Sequence, residues 1–171
     1  VAGDILEHLP DPAAALDLLR TLLAPTGRLL ISLPNVANVT VRLSLLAGRF
    51  DYQDRGILDR THLRFFTRQT LLQLLLHHGF ALGHLEPVPS EERVPPPLLA
   101  GLRAAGLVID TLEDEAAAYQ YLCVARPTAP VPPLTDDRAL RERLSEALSS
   151  ARAAAGSLGR GDSTGCRAAL W

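Results

Sequence analysis

The sequence of 171 residues contains no lysine and no methionine, and only two cysteines, Cys123 and Cys166. All 17 basic residues are arginine, so the lysine-rich patches that bind anionic lipid are absent. The two cysteines lie far apart without a CxxC spacing, which argues against a disulfide framework or a thiolate zinc site. A formal net charge of −2 excludes the broad basic field of a general nucleic-acid-binding protein. We therefore expect no nucleic-acid partner.

Long apolar runs and targeting signals are also lacking. Arginine, aspartate or proline interrupts every apolar stretch well before it could span a membrane as a helix. The N-terminus has no basic segment leading into an apolar stretch, which is the pattern of a secretion signal. We therefore expect a cytoplasmic protein. The composition, 47% hydrophobic and 21% charged, is typical of one globular domain.

Local patterns predict strands that alternate with helices. Short apolar or alternating runs predict strands near residues 1–6, 28–33, 80–88 and 119–126. Asp11 and Pro12 favour a helix start, and Thr67 is a candidate N-cap for another helix that ends before Gly79. The first strand, the first helix and the second strand form a βαβ unit, which predicts a parallel strand pair.

The composition changes after the last predicted strand. Residues 128–134 are rich in proline and predict an extended linker. Residues 135–155 predict an amphipathic helix that is too short for a coiled coil and could contact a neighbouring module. Residues 156–171 are rich in glycine, serine and arginine, which predicts a disordered tail.

Ordered motifs within residues 1–127 resemble a known family. Residues 4–12 (DILEHLPDP) precede residues 23–35 (LAPTGRLLISLPN), and residues 56–67 (GILDRTHLRFFT) and 117–127 follow them. In this order they resemble the second half of class I S-adenosylmethionine-dependent methyltransferases. The resemblance implies an α/β fold, a partial Rossmann-like sheet whose strands are equivalent to the fourth to seventh of the family.

The glycine-rich turn that holds the cofactor in this family is missing from the sequence. No GxGxG motif occurs among the 171 residues. The resemblance then implies that Val1 falls inside the fourth strand and that the N-terminal cofactor-binding half is absent. We therefore expect the chain to be inactive alone, with an apolar edge strand and one poorly covered sheet face.

The resemblance implies transfer of a methyl group from S-adenosyl-L-methionine to an oxygen or nitrogen of a small-molecule, lipid-precursor or glycan-related acceptor. His8, beside Glu7, is the best candidate for the base, because histidine can accept a proton near neutral pH. Alternatively, the two side chains orient their loop by hydrogen bonds. The alternative for the whole chain is a non-catalytic methyltransferase-like remnant or an interaction module.

A metal site is a further hypothesis. Asp4, Glu7 and His8 have a D-x-x-E-H spacing that resembles the E-x-x-E-H metal site of some O-methyltransferases. A divalent metal there would lower the pKa of an acceptor hydroxyl.

Substrate contacts are predicted in two places. The resemblance puts Arg60, His62 and Arg64 in an insertion that lines the substrate pocket, and arginine suits carboxylate or phosphate groups. Alternatively, these polar residues face solvent while Leu63, Phe65 and Phe66 pack inward. Asn35 is either part of the pocket wall or an ordinary strand-ending turn residue.

Overall fold

The computed structural model describes residues 1–107 and 111–129, and the isolated positions Glu142, Ser145, Glu146, Leu148 and Ser149. The predicted tail, 156–171, lies outside the described residues. So do most of the predicted linker, 128–134, and most of the predicted helix, 135–155. The boundaries of these three segments stay predictions.

Strands and helices alternate along the described chain. The strands are β1 (Ala2–Gly3), β2 (Leu29–Pro34), β3 (Phe80–Pro89) and β4 (Ala118–Pro127). The helices are α1 (Pro12–Leu22), α2 (Val39–Leu46), α3 (Arg68–His77), α4 (Pro96–Ala104) and α5 (Leu112–Ala117). A 3₁₀ turn, Leu6–His8, follows β1.

The four strands form one open sheet in the order β1-β2-β4-β3. β1 runs parallel to β2, with Ala2 opposite Ile31, and β4 runs antiparallel to both of its neighbours. The parallel pair and its crossover helix α1 confirm the predicted βαβ unit. The mixed α/β architecture confirms the predicted partial Rossmann-like sheet.

The two faces of the sheet differ in burial. On one face, alternate residues of β2 and β4 such as Ile31, Cys123 and Ala125 are buried in a core shared with Leu16 of α1 and Leu71 of α3. On the other face, the intervening side chains are only half-buried; they include Leu30, Leu122 and Val124. Among the described residues, this alternation is typical of a sheet whose more buried face packs against helices.

Local capping signals were reliable guides to the helices. The Asp11 carboxylate accepts a hydrogen bond from the Ala14 amide at 3.0 Å, and α1 begins at Pro12 as predicted. Thr67 and Thr70 form reciprocal capping hydrogen bonds at the start of α3. Gly79 follows α3 with φ +73°, a left-handed conformation that suits glycine.

The boundary predicted for the first strand is wrong. β1 is limited to Ala2–Gly3 rather than residues 1–6, because Asp4 adopts φ +49° and turns the chain out of the strand. The Asp4 amide still donates to the Ser32 carbonyl at 3.2 Å, which fixes the turn against β2. Helix α4, Pro96–Ala104, has proline in its first turn, where no intrahelical amide donor is needed.

Candidate functional site

The candidate site lies at the carboxyl ends of β1 and β2, under a long loop of residues 47–67. The amides of Leu63 and Arg64 donate to the Glu7 carbonyl at 2.8 and 3.0 Å. The Val36 amide donates to the Phe66 carbonyl at 2.9 Å, just after β2. The loop is therefore fixed against the ends of both parallel strands, the usual position of ligand sites in open α/β sheets.

Two histidines meet beneath this loop. Nδ1 of His8 donates to the Thr61 carbonyl at 3.2 Å, and Nδ1 of His62 donates to the Ile57 carbonyl at 3.0 Å. Their ring centroids lie 4.8 Å apart in an edge-to-face arrangement. Each Nδ1 faces a carbonyl oxygen and must therefore carry a proton. In the neutral form of each ring, Nε2 then carries the free lone pair. His8 is exposed and His62 is buried.

Glu7 is the unusual member of the site. Its side chain is buried, with 1% exposure, and neither carboxylate oxygen has a hydrogen-bond partner among the described residues. Burial raises the pKa of Glu7, and nearby Asp4 adds to this effect. The backbone amide of Glu7 itself and the two histidines, His62 and His8, partly offset this rise in pKa. A buried carboxyl group without a partner is costly to the fold and is typical of functional sites.

Glu7, His8 and His62 could hold a divalent metal. One ligand atom from each residue lies within 4.8 Å of the others. Two imidazoles and one carboxylate are a common donor set for zinc and for first-row transition metals. Each histidine also donates its Nδ1 proton to a carbonyl, which is the usual support of a metal-binding imidazole. The residues present therefore fit a metal.

Asp4 lies outside this group. Its carboxylate accepts hydrogen bonds from the Ser32 hydroxyl at 3.0 Å and from the Gln120 side-chain amide at 2.5 Å. Asp4 thus holds together the ends of three strands. The structure places His62 beside Glu7 and His8 instead, and no local spacing in the sequence could have indicated this long-range pairing.

Asn35 is completely buried. Its side-chain amide donates to the carbonyls of Glu115 and Ala118 at 2.7 and 2.9 Å, and its Oδ1 accepts from the Ala37 amide at 3.0 Å. Asn35 therefore ties the end of β2 to the junction of α5 and β4, rather than facing solvent on a pocket wall. Asn38, which the sequence reasoning missed, makes similar bonds while capping α2.

Arg60 and Arg64, the two arginines predicted to contact substrate, lie on the surface of the loop. Arg60 forms an ion pair with Asp54 at 2.7 Å, and both side chains are largely exposed. The Arg64 guanidinium donates to the Pro10 carbonyl at 2.5 Å and so connects the loop with the segment before α1. The packing alternative for this segment is wrong in two details: Leu63 is exposed and His62 is buried, while Phe66 is buried as expected.

The cluster of Glu7, His8 and His62 lies at the carboxyl ends of the parallel strands of an open α/β sheet. Ligands bind at this position in proteins of this fold class. Residues 1–85 match the family described as a methyltransferase domain. The match confirms the resemblance to class I S-adenosylmethionine-dependent methyltransferases, and it contains all three residues of the cluster. A methyltransferase domain in general uses S-adenosylmethionine as its methyl donor.

Two other observations bear on the remaining expectations. A search of curated proteins found no match to this chain. Within the described part of the chain, every helix is too short or too polar to cross a bilayer. The cytoplasmic location stays a prediction.

Proposed function

We propose that residues 1–127 form the acceptor-binding half of an S-adenosylmethionine-dependent methyltransferase. Its acceptor is an oxygen or nitrogen atom of a small-molecule, lipid-precursor or glycan-related compound. The observation that carries the proposal is the position of His8. Its ring is exposed at the carboxyl end of β1, and the Thr61 carbonyl orients it so that Nε2 is available.

His8 accepts the acceptor's proton at Nε2 as the acceptor's lone pair attacks the methyl group. S-adenosylmethionine, when bound, would supply that methyl group, with its sulfur as the leaving atom that keeps the electrons of the carbon–sulfur bond. The Glu7 carboxylate stabilises the imidazolium that forms, because the two groups share one cluster. Proton transfer of this kind contributes about 10²–10⁴-fold, and alignment of the reactants supplies most of the remaining rate enhancement.

A divalent metal is a second way to activate the acceptor. Glu7, His8 and His62 are the residues that would hold it, and its chemistry would be to lower the pKa of the acceptor's hydroxyl. His8 would then be a ligand rather than the base, because one lone pair cannot serve both roles. The buried Glu7 carboxylate without a hydrogen-bond partner supports this second mode.

We also propose that the 171 residues do not transfer methyl groups by themselves. Support comes from the sequence, which holds no GxGxG turn, and from the sheet. Among the described residues β1 pairs only with β2, so its outer edge is open to a further strand. The competing proposal is a non-catalytic module that contacts a neighbouring module through residues 135–155. Leu148 of that segment packs against the chain's own core.

Methyl transfer in the complete protein that contains these residues tests the proposal. Formation of S-adenosylhomocysteine is measured with alcohol, phenol and amine acceptors. We expect His8→Ala to lower turnover by about 10²-fold or more. Leu22→Ala, an exposed position on α1, is the matched control and leaves turnover unchanged.

Two outcomes would contradict the proposal. If the complete protein transfers no methyl group to any acceptor class, the non-catalytic function is favoured. If His8→Ala turns over at the wild-type rate, His8 is not the base. Calorimetry of the 171-residue chain with S-adenosylhomocysteine tests the second part, since micromolar binding would contradict the proposed need for a further cofactor-binding segment.

A further inference from the structure

Three aromatic side chains of the long loop, Phe50, Tyr52 and Phe65, form one cluster, here called the aromatic cluster. The ring centroid of Phe50 lies 5.6 Å from that of Tyr52 and 5.7 Å from that of Phe65. The rings of Tyr52 and Phe65 are 6.3 Å apart. Phe50 and Tyr52 are 40% and 52% exposed, so two of the three rings present much of their surface to solvent.

The aromatic cluster continues into the candidate site. The ring of Phe65 lies 6.4 Å from that of His62, which in turn lies 4.8 Å from the ring of His8. Both contacts are edge-to-face. A row of rings therefore leads from exposed Phe50 and Tyr52 to the exposed imidazole that the proposed function makes the base.

The loop that carries these rings packs against a small hydrophobic core separate from the main one. Val41, Ile57 and Leu58 form a small buried core, and Phe65 packs against it. A β-bridge joins Gln53 to Asp59 within the loop. The exposed rings thus lie on a folded scaffold, which reduces the entropy lost when a ligand binds to them.

Given the proposed function, we propose that the aromatic cluster binds an aromatic ring of the acceptor, and that the acceptor's reactive hydroxyl group extends from this ring towards His8. Phe50 meets its two neighbours at interplanar angles of 88° and 81°, the edge-to-face geometry that ring quadrupoles favour. A further ring placed against Phe50 and Tyr52 extends the same arrangement. A saturated acceptor of equal size gains apolar burial but no ring–ring interaction.

The surroundings of the cluster favour a small neutral ligand over a membrane surface. Exposed Asp51 and Asp54 balance exposed Arg49 and Arg55 in this segment, so it offers no basic patch to anionic lipid headgroups. The exposed apolar surface of two rings is also small compared with a protein interface.

Direct binding to the full chain tests the inference with a matched pair of probes, 2-naphthol and decahydro-2-naphthol. The two share shape and hydroxyl group but only the first is aromatic. We expect 2-naphthol to bind about tenfold more tightly by calorimetry. In the double variant Phe50→Leu/Tyr52→Leu, the ratio of the two affinities falls towards one. Tyr52→Phe, which keeps the ring, and Leu22→Ala on α1 keep the preference.

Equal affinity of the two probes, or a preference that survives in the double leucine variant, would overturn the inference. Circular dichroism of the double variant establishes that it is folded, as expected from the exposure of both positions. The measurement needs no methyl transfer. A complete protein that binds 2-naphthol through these rings but methylates nothing would contradict the proposed function alone. One that methylates only saturated acceptors, without this preference, would contradict the inference alone.

Discussion

The backbone carbonyl of Glu7 accepts the amide hydrogen of Leu63 at 2.8 Å. This contact ties the 3₁₀ turn after β1 to the long loop, and the neighbouring residue, His62, is thereby placed beside His8. The loop also covers the Glu7 side chain, which is only 1% exposed to solvent. Together with the hydrogen bond from the Arg64 amide to the same carbonyl, this contact fixes the loop over the histidine pair and the Glu7 carboxyl group.

Glu7 is expected to reduce the stability of the fold at neutral pH. Burial raises its pKa above the ordinary value of 4.5, so the folded chain holds this proton to higher pH than the unfolded chain does. Stability therefore falls as pH rises from about 4.5 through the folded-state pKa, and then levels off. We expect Glu7→Gln to raise the unfolding midpoint at pH 8 by about 2–4 °C and to give no gain at pH 4.

Thermal denaturation followed by circular dichroism across this pH range measures the effect. Glu91→Gln, an exposed position, is the matched control and leaves the midpoint unchanged at both pH values. A lower midpoint for Glu7→Gln at pH 8 would show that the ionised carboxylate has a stabilising partner.

Metal binding is expected to depend on His62 and not on Asp4. We expect added Zn²⁺ to raise the unfolding midpoint of the chain, because a ligand that binds only the folded state stabilises it. His62→Ala removes one of the three clustered ligands and should abolish the shift. Asp4→Asn should retain it, because the Asp4 carboxylate bonds Ser32 and Gln120. Asparagine also tolerates the left-handed backbone at this position.

The reverse pattern would support the set expected from spacing, Asp4, Glu7 and His8. Calorimetric titration with Zn²⁺ gives the affinity of each variant independently of its thermal stability. Equal Zn²⁺ affinity in wild type and His62→Ala would contradict the assignment of His62 as a ligand.

Asn35 is expected to contribute to stability rather than to acceptor binding. Asn35→Ala removes two buried hydrogen bonds and one partly buried one, and should lower the free energy of unfolding by about 3 kcal/mol. Urea denaturation measures this loss. The comparison variant is Arg60→Ala, whose exposed ion pair with Asp54 should matter by less than about 0.5 kcal/mol.

Acceptor KM in the complete protein separates the two roles. We expect Asn35→Ala to leave KM unchanged in the fraction of protein that stays folded. A raised KM with an unchanged free energy of unfolding would instead support the pocket-wall hypothesis for Asn35.

Much of the fold could be predicted because its signals are local. Asp11 and Thr67 cap helices through residues three positions away, so the pattern is complete within a few residues. The short length of β1 could not be read in this way. Its end depends on the backbone of Asp4, which is fixed by contacts with Ser32 on another strand.

The α/β class, the family resemblance and the adjacency of Glu7 and His8 all follow from the sequence, because each depends on neighbouring residues. Which side chains share the site depends on long-range contacts that the folded chain makes. His62 joins Glu7 and His8 because backbone hydrogen bonds fix the loop over β1. Asn35 is drawn inward because the carbonyls of Glu115 and Ala118 are buried and need donors.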